Sequence, residues 1–322
     1  MQVIRGLHNL RPEHRGCVAT IGNFDGVHLG HQAVFRHLRE RAEEHGLPTT
    51  VITFEPQPQE FFSPDKAPAR LTRLREKLQV MKQSQIDRVM LLEFNAKLAA
   101  MRADAFVEQL LVKGLGVRFL YVGDDFRFGK GREGDFHTLE RAGQEHGFEV
   151  ASMDTFAVGR ERVSSTRIRQ ALTEGDLQTA ERLLGRPYRI CGRVAHGDER
   201  GRTIGFPTAN IDLHRRVSPL HGVFAVTVYG PGDGPLPGVA NIGTRPTVRG
   251  DTRYLLEVHL FDFDRRIYGA HVEVEFRRKL RDEQRFDSFE ALRRQIEQDA
   301  QAARACLGVP VPLRANEQNI KE

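Results

Sequence analysis

Apolar residues in the first 185 positions fall into two kinds of run that alternate along the chain. Short, nearly continuous runs at 17–21, 50–54, 89–94, 118–122 and 149–153 read as buried strands. Between them, 32–45, 71–83, 105–113 and 139–146 carry apolar positions at helical spacing. Gly46, Gly114 and Gly147 follow three of these stretches, where a left-handed residue is expected after a helix. Such alternation predicts a parallel α/β sheet, with ligands beyond the carboxyl ends of its strands. A further helix is predicted to open within Val163-Ser-Ser-Thr-Arg-Ile-Arg169, capped by Ser164 or Ser165, with Ile168, Leu172, Leu177, Leu183 and Leu184 as its apolar marks.

The pattern changes after Gly185-Arg-Pro187. Strand-like runs at 188–195, 222–229, 239–242, 254–263 and 271–276 are separated by Gly- and Pro-rich turns, 230–235 being the plainest. Short strands at this spacing predict a small barrel or sandwich. A last helix, capped by Asp287 or Ser288 and bearing Phe289, Leu292 and Ile296, is expected to pack against it. The expected organisation is one domain over 1–185, a second over 186–307 and a tail over 308–322.

The candidate chemistry concentrates at the first strand-to-helix turn, Gly22-Asn-Phe-Asp-Gly-Val-His-Leu-Gly-His31. A helix N-terminus offers unpaired N–H groups and partial positive charge. His28 and His31 placed there make a site suited to a triphosphate. Two metal ligands at this spacing, or a capping histidine beside an exposed one, are the rival readings. Tyr121-Val-Gly-Asp-Asp-Phe-Arg-Phe-Gly-Lys130 ends another strand and belongs to the same carboxyl edge. Arg167 and Arg169, near the start of the helix that follows Val163, can clamp phosphate.

In the second half the notable run is Gly201-Arg-Thr-Ile-Gly-Phe-Pro-Thr-Ala-Asn-Ile211. Gly201 and Gly205 permit a loop whose amides approach phosphate. Thr208 and Asn210 are two apart and share a face of an extended strand, where their oxygens can hold Mg²⁺. Glu257 sits in an otherwise apolar strand. Either it is a buried carboxylate kept for use as a base, or it faces outward on a half-exposed strand. The Asn241-Ile-Gly loop adds a wall to a pocket.

Bulk properties narrow the partners. The chain has 322 residues and a formal charge of +5, with 48 Lys and Arg against 43 Asp and Glu. The arginines are interspersed with acids and form no basic block, so small phosphorylated ligands are expected rather than nucleic acid. No apolar run is long enough for a membrane span, and the N-terminus does not read as a signal peptide. Cys17, Cys191 and Cys306 are too widely spaced for a disulfide framework or a Cys-based metal site, and a cytoplasmic protein is expected. Tryptophan is absent, so ring stacking falls to Phe, Tyr and His.

Taken together, these motifs resemble those of the bacterial bifunctional riboflavin kinase/FMN adenylyltransferases, the prokaryotic FAD synthetases. The first half carries the resemblance in Gly22–His31, Gly123-Asp-Asp-Phe-Arg-Phe-Gly129 and Ser164-Ser-Thr-Arg-Ile-Arg169. The second carries it in Gly205-Phe-Pro-Thr-Ala-Asn210, Asn241-Ile-Gly, Glu257 and Leu280-Arg-Asp-Glu-Gln-Arg-Phe286. Val163 stands where Ile is common in the family, and Asp125 where Asn is often found. The resemblance implies a Rossmann-like nucleotidyltransferase domain with a parallel sheet. A small antiparallel β-barrel kinase domain with a C-terminal helix would follow it.

It further implies two reactions, riboflavin to FMN and FMN to FAD, each consuming ATP. His28, His31 and Arg169 would serve adenylyl transfer, with Gly22, Phe24, Asp25, Gly30, Ser164, Ser165 and Thr166 binding nucleotide and phosphate. Asp125 and Phe126 would line the flavin or adenine site. Glu257 would be the kinase base, with Gly201, Gly205, Thr208 and Asn210 on ATP, Thr208 and Asn210 on Mg²⁺, and Asn241 on the flavin. The implied partners are riboflavin, FMN, FAD and ATP, with no nucleic acid and no membrane; a weak homo-oligomer is compatible with them. A single-activity enzyme and a non-catalytic flavin- or nucleotide-binding regulator are the alternatives.

Overall fold

A computed structural model of the chain describes residues 1–153, 156–159, 161–195, 206–213, 215–232, 234–246 and 252–310. The expected phosphate loop at Gly201 and Gly205, and the tail beyond 310, lie outside the described residues. By its internal packing the chain divides into two compact units. One comprises Met1–Ile168 with Leu183–Gly185, the other Arg169–Arg182 with Arg186–Glu322.

In the first unit, strands β1 (Gln2–Arg5), β2 (Cys17–Ile21), β3 (Thr49–Glu55), β4 (Arg88–Glu93), β5 (Val117–Gly123) and β6 (Glu149–Met153) form one parallel sheet in the order β1-β4-β3-β2-β5-β6. The central strands β2, β3 and β4 are buried almost throughout because both faces of the sheet are covered there. Successive residues go to opposite sides. Val18, Val51, Val89 and Phe119 meet Phe35 and Leu38 of helix α1 (Leu29–His45) and Met81. Ala19, Ile52, Met90 and Leu120 meet Phe106, Leu110 and Leu111 on the other face. The chain winds β2, β3, β4 to one side and then returns to β5 on the far side of β2. Strand order therefore reverses between β2 and β5, the place where open sheets of this class leave a crevice for ligands.

Short helices α2 (Pro58–Phe62) and α3 (Leu74–Gln83) follow β3. Helix α3 starts later than its apolar pattern predicts, because the Leu71 and Thr72 amides are committed to the Asp25 carboxylate. Beyond β4 come α4 (Ala96–Ala99) and α5 (Ala103–Phe106), the latter running on as a π-helical stretch, Val107–Gly114. Gly114 ends that stretch without a left-handed conformation, contrary to the sequence expectation; the turn is made at Gly116, φ +54°. Gly46 and Gly147 are left-handed as expected, φ 62° and 76°, after α1 and α6 (Phe136–His146). The small hairpin β7 (Ala157–Val158) and β8 (Glu161–Arg162) leads to α7 (Ser165–Glu174) and α8 (Leu177–Leu184). The sequence reads α7 and α8 as one helix; Gly175, at φ +79°, divides them. The Ser164 hydroxyl accepts the Arg167 N–H at 3.2 Å and caps α7.

In the second unit, β9 (Arg189–Ala195), β10 (Ala209–Asp212), β11 (Gly222–Tyr229), β12 (Leu236–Pro246), β13 (Thr252–Leu260) and β14 (His271–Arg281) close an antiparallel barrel, β10-β13-β12-β11-β14-β9, with β9 pairing back to β10. Leu256, Val258 and Leu260 alternate inward along β13, as do Phe224, Val226 and Val228 along β11. The outer face is apolar in part. Val223, Ala225, Val239 and Phe261 are covered by Ala300 and Ala303 of helix α9 (Phe289–Leu307). Two alanines let the helix approach the strands closely. Ser288 caps α9, its hydroxyl accepting the Ala291 N–H at 3.1 Å. Arg281 donates to both oxygens of the buried Asp299, Nε to Oδ1 at 2.9 Å and Nη2 to Oδ2 at 2.7 Å, and ties the helix to β14.

Candidate functional site

The loop between β2 and α1 is held in a constrained backbone conformation. Phe24 and Val27 both adopt left-handed conformations, φ 48° and 41°. Each costs roughly 1–3 kcal/mol, and a β-branched residue tolerates it least. Asp25, 3% exposed, provides the compensation. Its carboxylate accepts the N–H groups of Leu71 and Thr72 at 3.0 Å, and the Thr72 hydroxyl accepts the Gly26 N–H at 2.9 Å. Gly26, at φ +84°, passes so close that a Cβ would lie 2.8 Å from Leu71 Cδ1. Lys77 is wholly buried and donates to the Asn23 carbonyl at 2.6 Å; burial pushes its ammonium below the ordinary lysine range. Ser165 donates to the Asp25 carbonyl at 2.9 Å and brings the start of α7 to the same loop.

This clamp fixes the N-terminus of α1. His28 is its cap, Nδ1 accepting the His31 N–H at 3.3 Å, so the neutral ring carries its proton on Nε2. The two imidazoles stack with centroids 3.6 Å apart and planes 16° from parallel. Phe24 meets the His31 ring edge-on at 5.1 Å. A Cβ at Gly30 would lie 3.2 Å from the His28 ring, which explains a glycine between the histidines.

A cavity of about 1090 Å³ opens at the β2/β5 reversal. Gly22, Phe24, His28, Gly30 and His31 line it from one side, Asp125 and Phe126 from the other, so seven predicted site residues from two distant segments converge. Asp25, Ser164, Ser165, Thr166 and Arg169 are not among its lining residues. Asp25 is instead the buried clamp, and Ser165 the tie to it. Arg169 belongs to the stretch of α7 grouped with the second unit.

Sequence reasoning missed the cavity's aromatic wall, Phe54, Phe62, Phe94, Phe126 and Phe128, of which it named only Phe126. Phe62 is 63% exposed and meets the rings of Phe61 and Phe94 edge-on, so it adds an apolar face to the cavity's mouth. The available signal was the adjacent pair Phe61-Phe62 in a polar segment. Missed too was Arg132, which with Lys130, the last residue of the run noted above, is presented by a turn with left-handed Gly129 and Gly131.

On the barrel, three predicted residues meet through register. Asn210 on β10 lies opposite Glu257 on β13, which lies opposite Asn241 on β12. Directly opposed residues share a face, and the flanking Leu256 and Val258 point into the barrel. Glu257 is therefore a half-buried carboxylate on the outer face beside two carboxamides, a placement compatible with use as a base. Thr208 precedes β10 and is half-buried. Asn241 Nδ2 donates to Glu283 Oε1 at 3.1 Å. Two residues beyond Glu257, His259 bonds the Pro207 carbonyl through Nδ1 at 2.9 Å and meets the rings of Phe206 and Phe261. Burial pushes the His259 pKa below its ordinary 6.5. Among the described residues no three His, Cys, Asp or Glu side chains gather as a metal site. The oxygens of Thr208, Asn210 and Glu257 are nevertheless hard donors of the kind Mg²⁺ takes.

A family model described as FAD synthetase matches residues 10–167, and one described as riboflavin kinase matches residues 184–307. Over 313 residues the chain is 56% identical to the bifunctional riboflavin kinase/FMN adenylyltransferase of Escherichia coli strain K12, covering 97% of this chain and 100% of that protein. The Pseudomonas fluorescens protein of the same name is 55% identical over 305 residues, 95% of this chain and 97% of that one. A crystal structure described as a macrolide-efflux protein from Streptococcus pneumoniae superposes with a TM-score of 0.79 at 31% identity, covering 94% of this chain and 99% of that one. No described helix of the present chain is long and apolar enough to cross a membrane.

Proposed function

The chain belongs to the family of bifunctional riboflavin kinases/FMN adenylyltransferases, and we propose that its two units divide the reactions between the two sites described above. The protein phosphorylates riboflavin to FMN and adenylylates FMN to FAD, with ATP as co-substrate in both steps.

Adenylyl transfer is assigned to the first unit. An FMN phosphate oxygen attacks the α-phosphorus of ATP, the bond from that phosphorus to the bridging oxygen breaks, and pyrophosphate leaves. The attacking phosphate is already an anion, so no protein base is required; positioning and charge stabilisation carry the rate. His28 and His31 at the N-terminus of α1 stabilise the transferring group, and the first turn of α7, with Ser165 and Thr166, takes the β- and γ-phosphates. The flavin ring stacks on the Phe62, Phe94, Phe126 and Phe128 wall. The single observation that carries this reading is the cavity that joins the stacked histidines to that wall.

Riboflavin phosphorylation is assigned to the barrel's outer face. The flavin 5′-hydroxyl gives its proton to Glu257 as its oxygen attacks the γ-phosphorus, and ADP leaves with the bridging oxygen. Thr208 and Asn210 would hold Mg²⁺, which when bound neutralises charge on the transferring phosphate. The buried thiols Cys17 and Cys191 suit a reducing cytoplasm. Incubation with riboflavin, ATP and Mg²⁺, followed by chromatographic separation of the flavins, tests the division. Wild type yields FMN and then FAD, and His31→Ala stops at FMN. If His31→Ala abolished both products in a folded protein, the assignment of one site to each unit would be wrong.

A further inference from the structure

Glu283 lies just beyond β14. Its carboxylate accepts the Asn241 Nδ2–H at 3.1 Å. A carboxylate can only accept, so this bond settles which end of the carboxamide faces Glu283. Asn241 Oδ1 is thereby turned away, and it is buried with no hydrogen-bond donor among the described residues. Buried carbonyl oxygens without a donor are uncommon in folded proteins, and such an atom beside a reacting group points to a donor on the ligand. Asn241 stands opposite Glu257 on the same face.

Two features keep Glu283 where it is. The neighbouring Gly243 leaves room for it: a Cβ there would collide with the Glu283 carboxylate. The segment itself is anchored, because Arg281 grips Asp299 on α9 and Lys279 Nζ lies 2.6 Å from Asp282 Oδ1.

We propose that Glu283 is a positioning residue for riboflavin phosphorylation, fixing the Asn241 carboxamide so that Oδ1 accepts a hydrogen bond from a ribityl hydroxyl of the flavin. This rests on the assignment of the kinase reaction to the Glu257 face. The donor class follows from the neighbourhood: Glu257 takes the proton of the terminal hydroxyl, and the remaining hydroxyls of that polyol are the O–H donors next to it.

The test is steady-state FMN formation by the full chain, with lumiflavin, whose ring carries a methyl group in place of the ribityl chain, as a competitive inhibitor against riboflavin, so that its binding is read at the kinase site alone. Glu283→Ala raises the KM for riboflavin about tenfold, the loss of roughly one well-placed hydrogen bond, while kcat changes less. Glu283→Lys, which only donates, turns the carboxamide round and does at least as much. Gly243→Ala displaces the carboxylate with Glu283 intact and gives the same rise. Glu283→Gln keeps an acceptor and restores the KM. Lumiflavin binding and FAD formation from supplied FMN stay unchanged in all four, which also reports folding.

An unchanged KM in Glu283→Ala, a Gln variant as weak as Ala, or an equal loss of lumiflavin binding would each overturn the proposal. Asn241→Ala separates the two levels. If it leaves the riboflavin KM unchanged, the flavin is not at this face and the underlying assignment falls. If it raises KM while Glu283→Ala does not, only the positioning role falls.

Discussion

The two proposed sites rest on opposite uses of a β-sheet. In the first, both faces of a parallel sheet are buried, so only the loops at its edge are free to carry function. Gly22–His31 follows β2 and Gly123–Arg132 follows β5, and strand order brings these loops together across some 90 residues of sequence. In the barrel, one face of every strand fills the interior, so the proposed kinase site lies on the other face, assembled by register. Asn210, Glu257 and Asn241 are neighbours because their strands pair. A loop site needs its backbone held from outside, which is the task of Asp25. A register site needs no such clamp, since the ladder holds it.

Substitutions separate these two designs, beginning with the largest expected effects. Glu257→Gln is expected to lower the rate of FMN formation by about 10²–10⁴, the span of general-base catalysis. FAD synthesis from supplied FMN should continue at the wild-type rate, checked by chromatography of initial-rate samples. His31→Ala is expected to lower FAD formation by about 10²–10³, as for removal of one charge-stabilising donor, with FMN formation intact. A folded variant that lost both activities would break the contrast between the sites.

Asp25→Ala tests the clamp. The Leu71 and Thr72 amides would be left without their acceptor, at about 1–3 kcal/mol for each buried group, and the left-handed Phe24 and Val27 would lose their support. A destabilisation of about 2–4 kcal/mol in denaturant titration is expected, with FAD formation falling more than FMN formation. An unchanged midpoint would show that the loop holds itself. On the barrel, Ala303→Leu should cost about 1–3 kcal/mol by overfilling the close contact with the strands.

The smallest effect is a pH dependence of the barrel. His259 has a folded pKa below 6.5, chiefly because burial disfavours the imidazolium. Below 6.5 the unfolded chain then binds more protons at this site than the folded one, so stability falls as pH drops from 6.5 toward the folded value. Thermal unfolding between pH 7.5 and 5.5 should show this decline, and His259→Phe should flatten it. A variant with the same slope as wild type would assign the decline to other groups.

Much of both folds was legible without coordinates, because each sheet imprints its own period on the sequence. Doubly buried strands read as continuous apolar runs, and barrel strands as shorter runs cut by turns. The edge strand β1 escaped notice since only Ile4 of its four residues is buried. Strand β10 likewise shows in the sequence only as an extended pair of polar positions, Thr208 and Asn210, because it is four residues long. The histidines and Glu257 stood out because they are polar residues where apolar or turn residues would suffice.

What the chain determined by itself was therefore local: periodicity, helix starts narrowed to Ser164 or Ser165 and to Asp287 or Ser288, and the residue types of the two motifs. Tertiary structure alone decided which side of the barrel Glu257 occupies, since a pleat assigns faces only once the register is set. It also decided that Asp25 is a clamp away from the cavity, and that Phe62 and Phe94 join Phe126 and Phe128 in one wall. Those facts depend on contacts between segments far apart in sequence, and no local pattern encodes which distant loop a strand order will bring alongside.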